Sequence, residues 1–316
     1  MVRLNLDEYQ IDAFPVLAGK SWVTVGNFDG VHLGHQALIK RLVEGAQETD
    51  QKSVLINFWP HPKVVLDKVT GPFYLSTFDE KQALLGHLSI DEVITLAFNE
   101  TLYEMSAEVF LTVLLEKLGV THLIVGPDFS IGKERQGNLA NLQCTFRRLG
   151  IKVILVDPLK VDGEVISSGT IRQSLLTGDV ITAARLLGRF YSVEGRVIQG
   201  KGQGLKSGFP TANLQFEPMK ILPRHGVYAG WAWVRGVRHP AVTNVGIRPT
   251  FESSGKPSVE TLLLDFDDNI YGEHLKVDFV SRLRDEIKFD GVVSLLTQIN
   301  QDKKEARRIL EDGEKS

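Results

Sequence analysis

The stretch Val25-Gly26-Asn27-Phe28-Asp29-Gly30-Val31-His32-Leu33-Gly34-His35 constrains this chain most. It follows an apolar run, Trp22 to Val25, that predicts a buried strand. It leads into Gln36 to Val43, where Leu38, Leu42 and Val43 fall at helical spacing. A strand that breaks at glycines and restarts as a helix aims a loop and a helix N-terminus at one spot. Such a spot suits phosphate, because unpaired backbone N–H groups and the helix dipole both favour an anion. His32 and His35 bracket the first helical turn, so both rings can face one bound group. Gly34 between them leaves the backbone open to a ligand. A metal pair or plain capping histidines are the competing readings, although no Cys, Asp or Glu at a familiar zinc spacing accompanies them.

Length and composition narrow the setting. A chain of 316 residues with 43% hydrophobic content can fill two cores. A formal net charge of -3 lacks the basic excess usual for broad nucleic-acid binding. The single cysteine, Cys144, excludes an intramolecular disulfide and fits a reducing compartment. The first ten residues carry Asp7 and Glu8 without an apolar core, so no secretory signal is expected there. No apolar run approaches a membrane span. The expectation is a soluble, cytoplasmic protein with no nucleic-acid or membrane partner.

From Trp22 to about Asp157, short apolar runs alternate with helical segments. Val54–Phe58, Val93–Phe98, Leu123–Val125 and Val153–Val156 read as strands. Helices are expected over Asp79–Leu88, Ser106–Leu118 and about Leu139–Leu149; Ser76, Thr77 or Asp79 would cap the first. Val109, Phe110, Val113, Leu114 and Leu118 share one face of the second. This alternation implies a parallel sheet with helices on both faces, whose ligands bind beyond the carboxyl ends of the strands. No Gly-x-Gly-x-x-Gly follows the first strand, so a dinucleotide site is not indicated.

Three further segments follow strands of that sheet. Phe58-Trp59-Pro60-His61-Pro62 uses prolines to fix a loop presenting His61. Gly126-Pro127-Asp128-Phe129-Ser130-Ile131-Gly132 places Asp128 in another. In Ser167-Ser168-Gly169-Thr170-Ile171-Arg172, hydroxyls can cap a helix and Arg172 can reach a phosphate. Taken singly, these read as a proline turn, plain N-caps and a solvated arginine; together they describe one mouth. Short helices over Ile171–Leu176 and Val180–Leu187 are expected to close this first unit.

After Gly188 the texture changes to strands between glycine and proline turns: Val193–Gln199, Gly226–Val234, Val237–Val245, Val259–Phe266 and His274–Val280. A barrel or sandwich is implied, with a helix from Gly291 to about Leu310. The dense stretch here is Gly200-Lys201-Gly202-Gln203-Gly204, followed by Gly208-Phe209-Pro210-Thr211-Ala212-Asn213. Gly200, Gly202 and Gly204 can curl backbone N–H groups round phosphate, or can simply make a flexible hairpin loop. No Gly-Lys-Ser/Thr opens a helix, so it is not a Walker loop. Thr211 and Asn213 offer oxygens of the kind magnesium accepts. Glu260 lies on an otherwise apolar alternating face with Leu262, Leu264 and Phe266, either paired structurally or poised as a base.

The whole pattern resembles the bacterial bifunctional riboflavin kinase/FAD synthetase (FMN adenylyltransferase) family. Gly26 to His35 looks like its nucleotidyltransferase signature, and Phe58–Pro62, Gly126–Gly132 and Ser167–Arg172 resemble three more of its motifs. Gly169 stands where the family usually has threonine, with Thr170 able to supply a hydroxyl one place later. Gly-x-Gly-x-Gly and Pro-Thr-Ala-Asn resemble the family's kinase domain. So do Gly226-Val227-Tyr228, Asn244-Val245-Gly246 with Pro249-Thr250, Glu260, Asp265-Phe266 with Tyr271-Gly272, and Arg284-x-Glu286 with Phe289.

The resemblance implies an α/β nucleotidyltransferase domain, Rossmann-like, over residues 1–186. A Greek-key β-barrel riboflavin kinase domain with a C-terminal helix would occupy 187–316. It implies ATP-dependent phosphorylation of riboflavin to FMN, then adenylylation of FMN to FAD. Glu260 would be the kinase base, and His32, His35 and Arg172 would act on the phosphates of adenylyl transfer. Nucleotide would be held by Gly26, Asn27, Phe28, Asp29, Gly34, His61, Asp128, Ser167, Ser168, Gly200, Gly202, Gly204, Thr211 and Asn213. Thr211 and Asn213 would also hold Mg2+ with ATP. Arg284, in a loop covering the flavin, and Glu286 would bind flavin. Partners are then riboflavin, FMN and ATP, and self-association is compatible with the sequence. The alternatives are another small-molecule adenylyltransferase, or a flavin- or nucleotide-binding regulator without catalysis.

Overall fold

The computed structural model describes residues 14–199, 210–248 and 256–314. The chain divides into two compact units, up to Ser167 and from Ser168 onward.

In the first unit, strands β1 (Ser21–Val25), β2 (Lys52–Trp59), β3 (Glu92–Ala97) and β4 (Val120–Val125) precede two short hairpins and a fifth sheet strand. The hairpins are β5 (Ser130–Ile131) with β6 (Gly137–Asn138), and β8 (Lys160–Val161) with β9 (Glu164–Val165). β7 (Lys152–Leu155) completes a parallel sheet in the order β3-β2-β1-β4-β7. The helices are α1 (Leu33–Glu48), α2 (Pro62–Leu66), α3 (Phe78–Gly86), α4 (Glu100–Glu104), α5 (Ala107–Leu118) and α6 (Leu139–Leu149).

Continuous apolar strands are what a sheet covered on both faces requires. Val54 and Ile56 join a core with the expected apolar stripe of α5, while Leu55 between them joins Ile39 and Val43 of α1 and Leu85 of α3. The chain leaves β1 toward β2 on one side, and β4 returns on the other. β1 is therefore where the strand order reverses, and its carboxyl end is the place such sheets bind ligands.

α1 lies close along β1 at Gly45. A Cβ there would stand 2.0 Å from the Trp22 ring, and Trp22 Nε1 donates to Thr49 Oγ1 at 2.9 Å just past the helix end. This contact sets where the N-terminus of α1 points.

The second unit opens with α7 (Ser168–Thr177) and α8 (Val180–Leu187). Strands β10 (Tyr191–Ile198), β11 (Ala212–Gln215), β12 (Gly226–Val234), β13 (Val237–Arg248), β14 (Lys256–Leu263) and β15 (His274–Arg284) follow. A C-terminal helix spans Val292–Glu314. The strands close into an antiparallel barrel in the order β10-β11-β14-β13-β12-β15. β12, β13 and β14 run as a meander and β15 returns beside β12, which is the Greek-key arrangement expected. Tyr228, Val245, Val259, Val277 and Phe279 fill the interior. The alternate residues Val227, Ala229, Val242 and Leu262 face outward and are covered by Ala306 and Ile299 of the C-terminal helix.

A Gly45→Ala substitution is expected to push β1 and α1 apart and destabilise the first unit by about 1–3 kcal/mol. Thermal denaturation of the purified variant measures this, and an unchanged midpoint would refute the close-approach argument.

Candidate active sites

The loop from Gly26 to His32 emerges at the carboxyl end of β1. Gly26 N–H donates to Ile56 O at 3.0 Å, so the loop begins still attached to β2. Phe28, Gly30 and Val31 then take left-handed φ values of 50°, 80° and 38°. A bulky residue in that region costs on the order of 1–3 kcal/mol. The Phe28 and Val31 side chains are almost fully buried against Ile39, Leu55 and Leu85. Burial of each contributes roughly 1.5–3 kcal/mol, enough to offset that strain.

Asp29 fastens the loop. Its buried carboxylate accepts the Leu75 N–H at 3.1 Å and the Ser76 N–H at 3.2 Å, and the Ser76 hydroxyl accepts the Gly30 N–H at 3.0 Å. Asp29 is thus a scaffold for the loop, a role its place in the motif did not reveal.

His32 is the N-cap of α1: its Nδ1 accepts the His35 N–H at 3.2 Å. The two rings stack, with centroids 3.6 Å apart and planes 17° apart. Gly34 admits this, since a Cβ there would sit 3.2 Å from the His32 ring. The capping reading is fulfilled, and the two rings lie against each other. His35 has its pKa held well below the ordinary value by burial first, then by the neighbouring His32 and Lys81 charges. Its ring is therefore neutral at neutral pH, and its Nδ1 is buried without a hydrogen-bond partner, as is Asn27 Oδ1.

Among the described residues, no group of three or more His, Cys, Asp or Glu could hold a metal ion. His61 caps α2, with Nδ1 accepting the Lys63 N–H at 3.0 Å, while its own N–H donates to Tyr74 Oη at 3.0 Å. Asp128 stands exposed beyond β4, in a turn closed by Phe129 N–H to Gly126 O at 3.2 Å. Ser167 ends the first unit; Ser168 and Arg172 belong to α7 in the second.

The second cluster is on the outside of the barrel. Cross-strand register sets Asn213 of β11 opposite Glu260 of β14, and Glu260 opposite Asn244 of β13. Directly opposed residues share a face, so these three side chains stand side by side. Asn244 Nδ2 donates to Glu286 Oε1 at 3.1 Å. Gly246 makes room for that carboxylate, because a Cβ there would lie 2.3 Å from Glu286 Oε1. Thr211 immediately precedes β11, whereas Gly200, Gly202 and Gly204 lie outside the described residues.

Arg284 differs from expectation: it is the last residue of β15, not part of a loop. Its guanidinium pairs with Asp302 of the C-terminal helix, Nη2 to Oδ2 at 2.7 Å and Nε to Oδ1 at 3.0 Å, and Gln298 Nε2 also donates to Asp302. A planar fork meeting a buried carboxylate is a structural clasp between barrel and helix. Asp302 was not anticipated; it falls three residues after Ile299 and four before Ala306, on the helix face that covers the barrel.

Comparison with known proteins follows the same division. Residues 16–170 match the family model described as FAD synthetase, and residues 187–310 match that described as riboflavin kinase. The bifunctional riboflavin kinase/FMN adenylyltransferase of Pseudomonas fluorescens is 38% identical over 287 residues, covering 90% of this chain and 92% of that protein. Its Bacillus subtilis counterpart is 36% identical over 300 residues, covering 92% of each.

The chain belongs to the bifunctional riboflavin kinase/FMN adenylyltransferase family. A crystal structure of a Streptococcus pneumoniae chain described as a macrolide-efflux protein is also similar. It has a TM-score of 0.85 and 28% identity, over 95% of this chain and 97% of that one. No helix among the described residues of this family member is long and apolar enough to cross a membrane.

Because the folded state holds His35 neutral below its ordinary pKa of 6.5, the unfolded chain binds more protons there. The contribution of this group is present above about pH 6.5 and is lost as pH falls toward its folded pKa. His35→Gln is expected to reduce the acid sensitivity of the first unit between about pH 7 and 5. Urea unfolding at stepped pH measures it; an unchanged slope would remove burial of His35 as the cause.

Proposed function

We infer that this chain makes FAD from riboflavin in two ATP-dependent steps, each on its own unit. The observation that carries the reading is the presence of two separate sites of different chemistry. One is a glycine loop, helix N-terminus and histidine pair at the switch point of a parallel sheet. The other is an Asn213–Glu260–Asn244 row on a barrel. We assign adenylyl transfer to residues 1–186 and riboflavin phosphorylation to 187–316.

On the barrel, Glu260 accepts the proton of the riboflavin 5′-hydroxyl as that oxygen attacks the γ-phosphorus of ATP, giving FMN and ADP. Phosphoryl transfer asks chiefly for positioning and charge neutralisation, so one carboxylate amid amides suffices. Thr211 and Asn213 fit Mg2+ brought in with ATP, because that ion keeps its waters and phosphate oxygens and takes one or two protein oxygens. When bound, it would neutralise charge on the β- and γ-phosphates. Asn244 orients Glu286 toward the flavin side of this face, and Arg284 supports that site through its clasp on the C-terminal helix.

On the sheet, an FMN phosphate oxygen attacks the α-phosphorus of a second ATP. The bond to pyrophosphate breaks and FAD forms, with no protein nucleophile. Backbone of Gly26 to Gly30 and the N-terminus of α1 receive the phosphates. His32 and His35 contribute their imidazoles to them, with Ser167 adding a hydroxyl. His61 and Asp128 shape the pocket beyond β2 and β4. The cytoplasm, where riboflavin and ATP occur together, is the proposed location.

Glu260→Gln is expected to abolish FMN formation while leaving conversion of supplied FMN to FAD. Chromatography of riboflavin or FMN incubated with MgATP checks both. Loss of both activities in a folded variant would overturn the assignment of one reaction to each unit.

A further inference from the structure

Lys81 lies on the buried side of α3 with 3% of its surface exposed. Lysine is almost never this buried without partners. Its ammonium donates to Asn27 O and to Phe58 O, both at 3.3 Å, and stands 5.3 Å from the centre of the Trp59 ring. Asn27 belongs to the loop after β1, and Phe58 opens the segment that carries His61. One cation therefore ties together the two chain segments that leave adjacent strands of the sheet.

Its own position is fixed by a capping box at the start of α3: Glu80 N–H donates to Thr77 Oγ1 at 3.2 Å, and Thr77 N–H to Glu80 Oε2 at 2.8 Å. Trp59 stacks on Tyr74 with ring centres 4.4 Å apart, so the ring beside the ammonium is held too. Asn27, whose carbonyl accepts from the ammonium, also has its side-chain Oδ1 buried without a hydrogen-bond partner. The molecule has thus placed a buried positive charge and an unused polar atom at the loop that would receive a nucleotide.

We propose that Lys81 is a positioning residue for adenylyl transfer, holding the Asn27 and Phe58 carbonyls in register and lending positive charge to the polyphosphate cradle.

This rests on the reading of the first unit as the adenylyltransferase. The groups that face Lys81 are Asp29 on the loop and His35 on α1, with His32 stacked on His35; Glu80 is turned into the capping box. Burial pushes the Lys81 pKa down to about 8, against the opposing pull of Asp29. The charge is therefore present at neutral pH and is lost as pH rises through that value. Anion binding at the loop weakens in the same direction.

The test uses the full chain and supplied FMN with MgATP, with riboflavin phosphorylation in the same preparation as a control. Lys81→Met is expected to lower kcat/KM for ATP in FAD formation by about 10- to 100-fold, as for a lost charged hydrogen bond, with FMN formation unchanged. Lys81→Arg, which keeps its charge, should recover most of the activity and lack the fall above about pH 8 that the unaltered chain shows. Full FAD formation by Lys81→Met at an unchanged KM for ATP would overturn the proposal. A Lys81→Arg profile that still falls as in the unaltered chain would also overturn it, whether or not Lys81→Met folds. An unaltered chain that leaves supplied FMN unconverted would instead remove the adenylyltransferase reading and the proposal with it.

Discussion

The carboxylate of Asp29, fixed by the backbone N–H groups of Leu75 and Ser76, is the interaction on which the first site depends. A strained loop with left-handed Phe28 and Val31 does not persist through local preference. It persists because apolar burial holds its side chains and a buried charge holds its backbone. Unpairing a buried carboxylate from such donors costs a few kcal/mol, comparable to the strain the loop stores. The same residue biases Lys81 toward its charged form, so loop shape and loop charge have one origin.

Much of this was legible in the sequence, and the reasons are specific. The apolar runs at Trp22–Val25 and Val54–Phe58 and the stripe from Val109 to Leu118 carry their periodicity openly, because strands covered on both faces and amphipathic helices leave distinct patterns. Thr77 as the cap of α3 and the histidines at the first turn of α1 follow from capping chemistry. Glu260 was visible as a carboxylate in apolar company, and Asn213 as an oxygen donor in the Pro-Thr-Ala-Asn stretch. That they oppose one another depends on strand register, which no local signal encodes.

What was not legible is equally particular. Lys81 and Leu85 are four apart on α3, so the lysine sits on the core side, a signal that periodicity could have given. Its partners are backbone carbonyls 23 and 54 positions away, and main-chain acceptors have no sequence signature. Arg284 resembled a flavin ligand by motif. In the fold its fork is engaged with Asp302, because a guanidinium near a buried carboxylate pairs with it rather than staying in solvent. Motif position identified the residue, and tertiary contact decided what its charge does.

The two sites solve the problem of ATP's negative charge in opposite ways. The sheet site presents backbone amides, a helix N-terminus, two imidazoles and, behind them, a buried ammonium; its carboxylate, Asp29, is consumed in holding the loop. Such a site attracts polyphosphate by itself. The barrel face presents Glu260, with Glu286 bonded to the adjacent Asn244, so two carboxylates occupy one outer surface. Left alone, that surface repels a triphosphate. In the kinase step proposed above, a divalent cation accompanying the nucleotide would reverse the sign, and Thr211 and Asn213 would be neutral oxygens able to share it without adding further negative charge. A base must also remain anionic to take a proton from a hydroxyl. The difference in charge between the sites therefore follows from the reactions assigned to them: one must receive an anionic nucleophile beside an anionic leaving group, and the other must deprotonate a neutral alcohol.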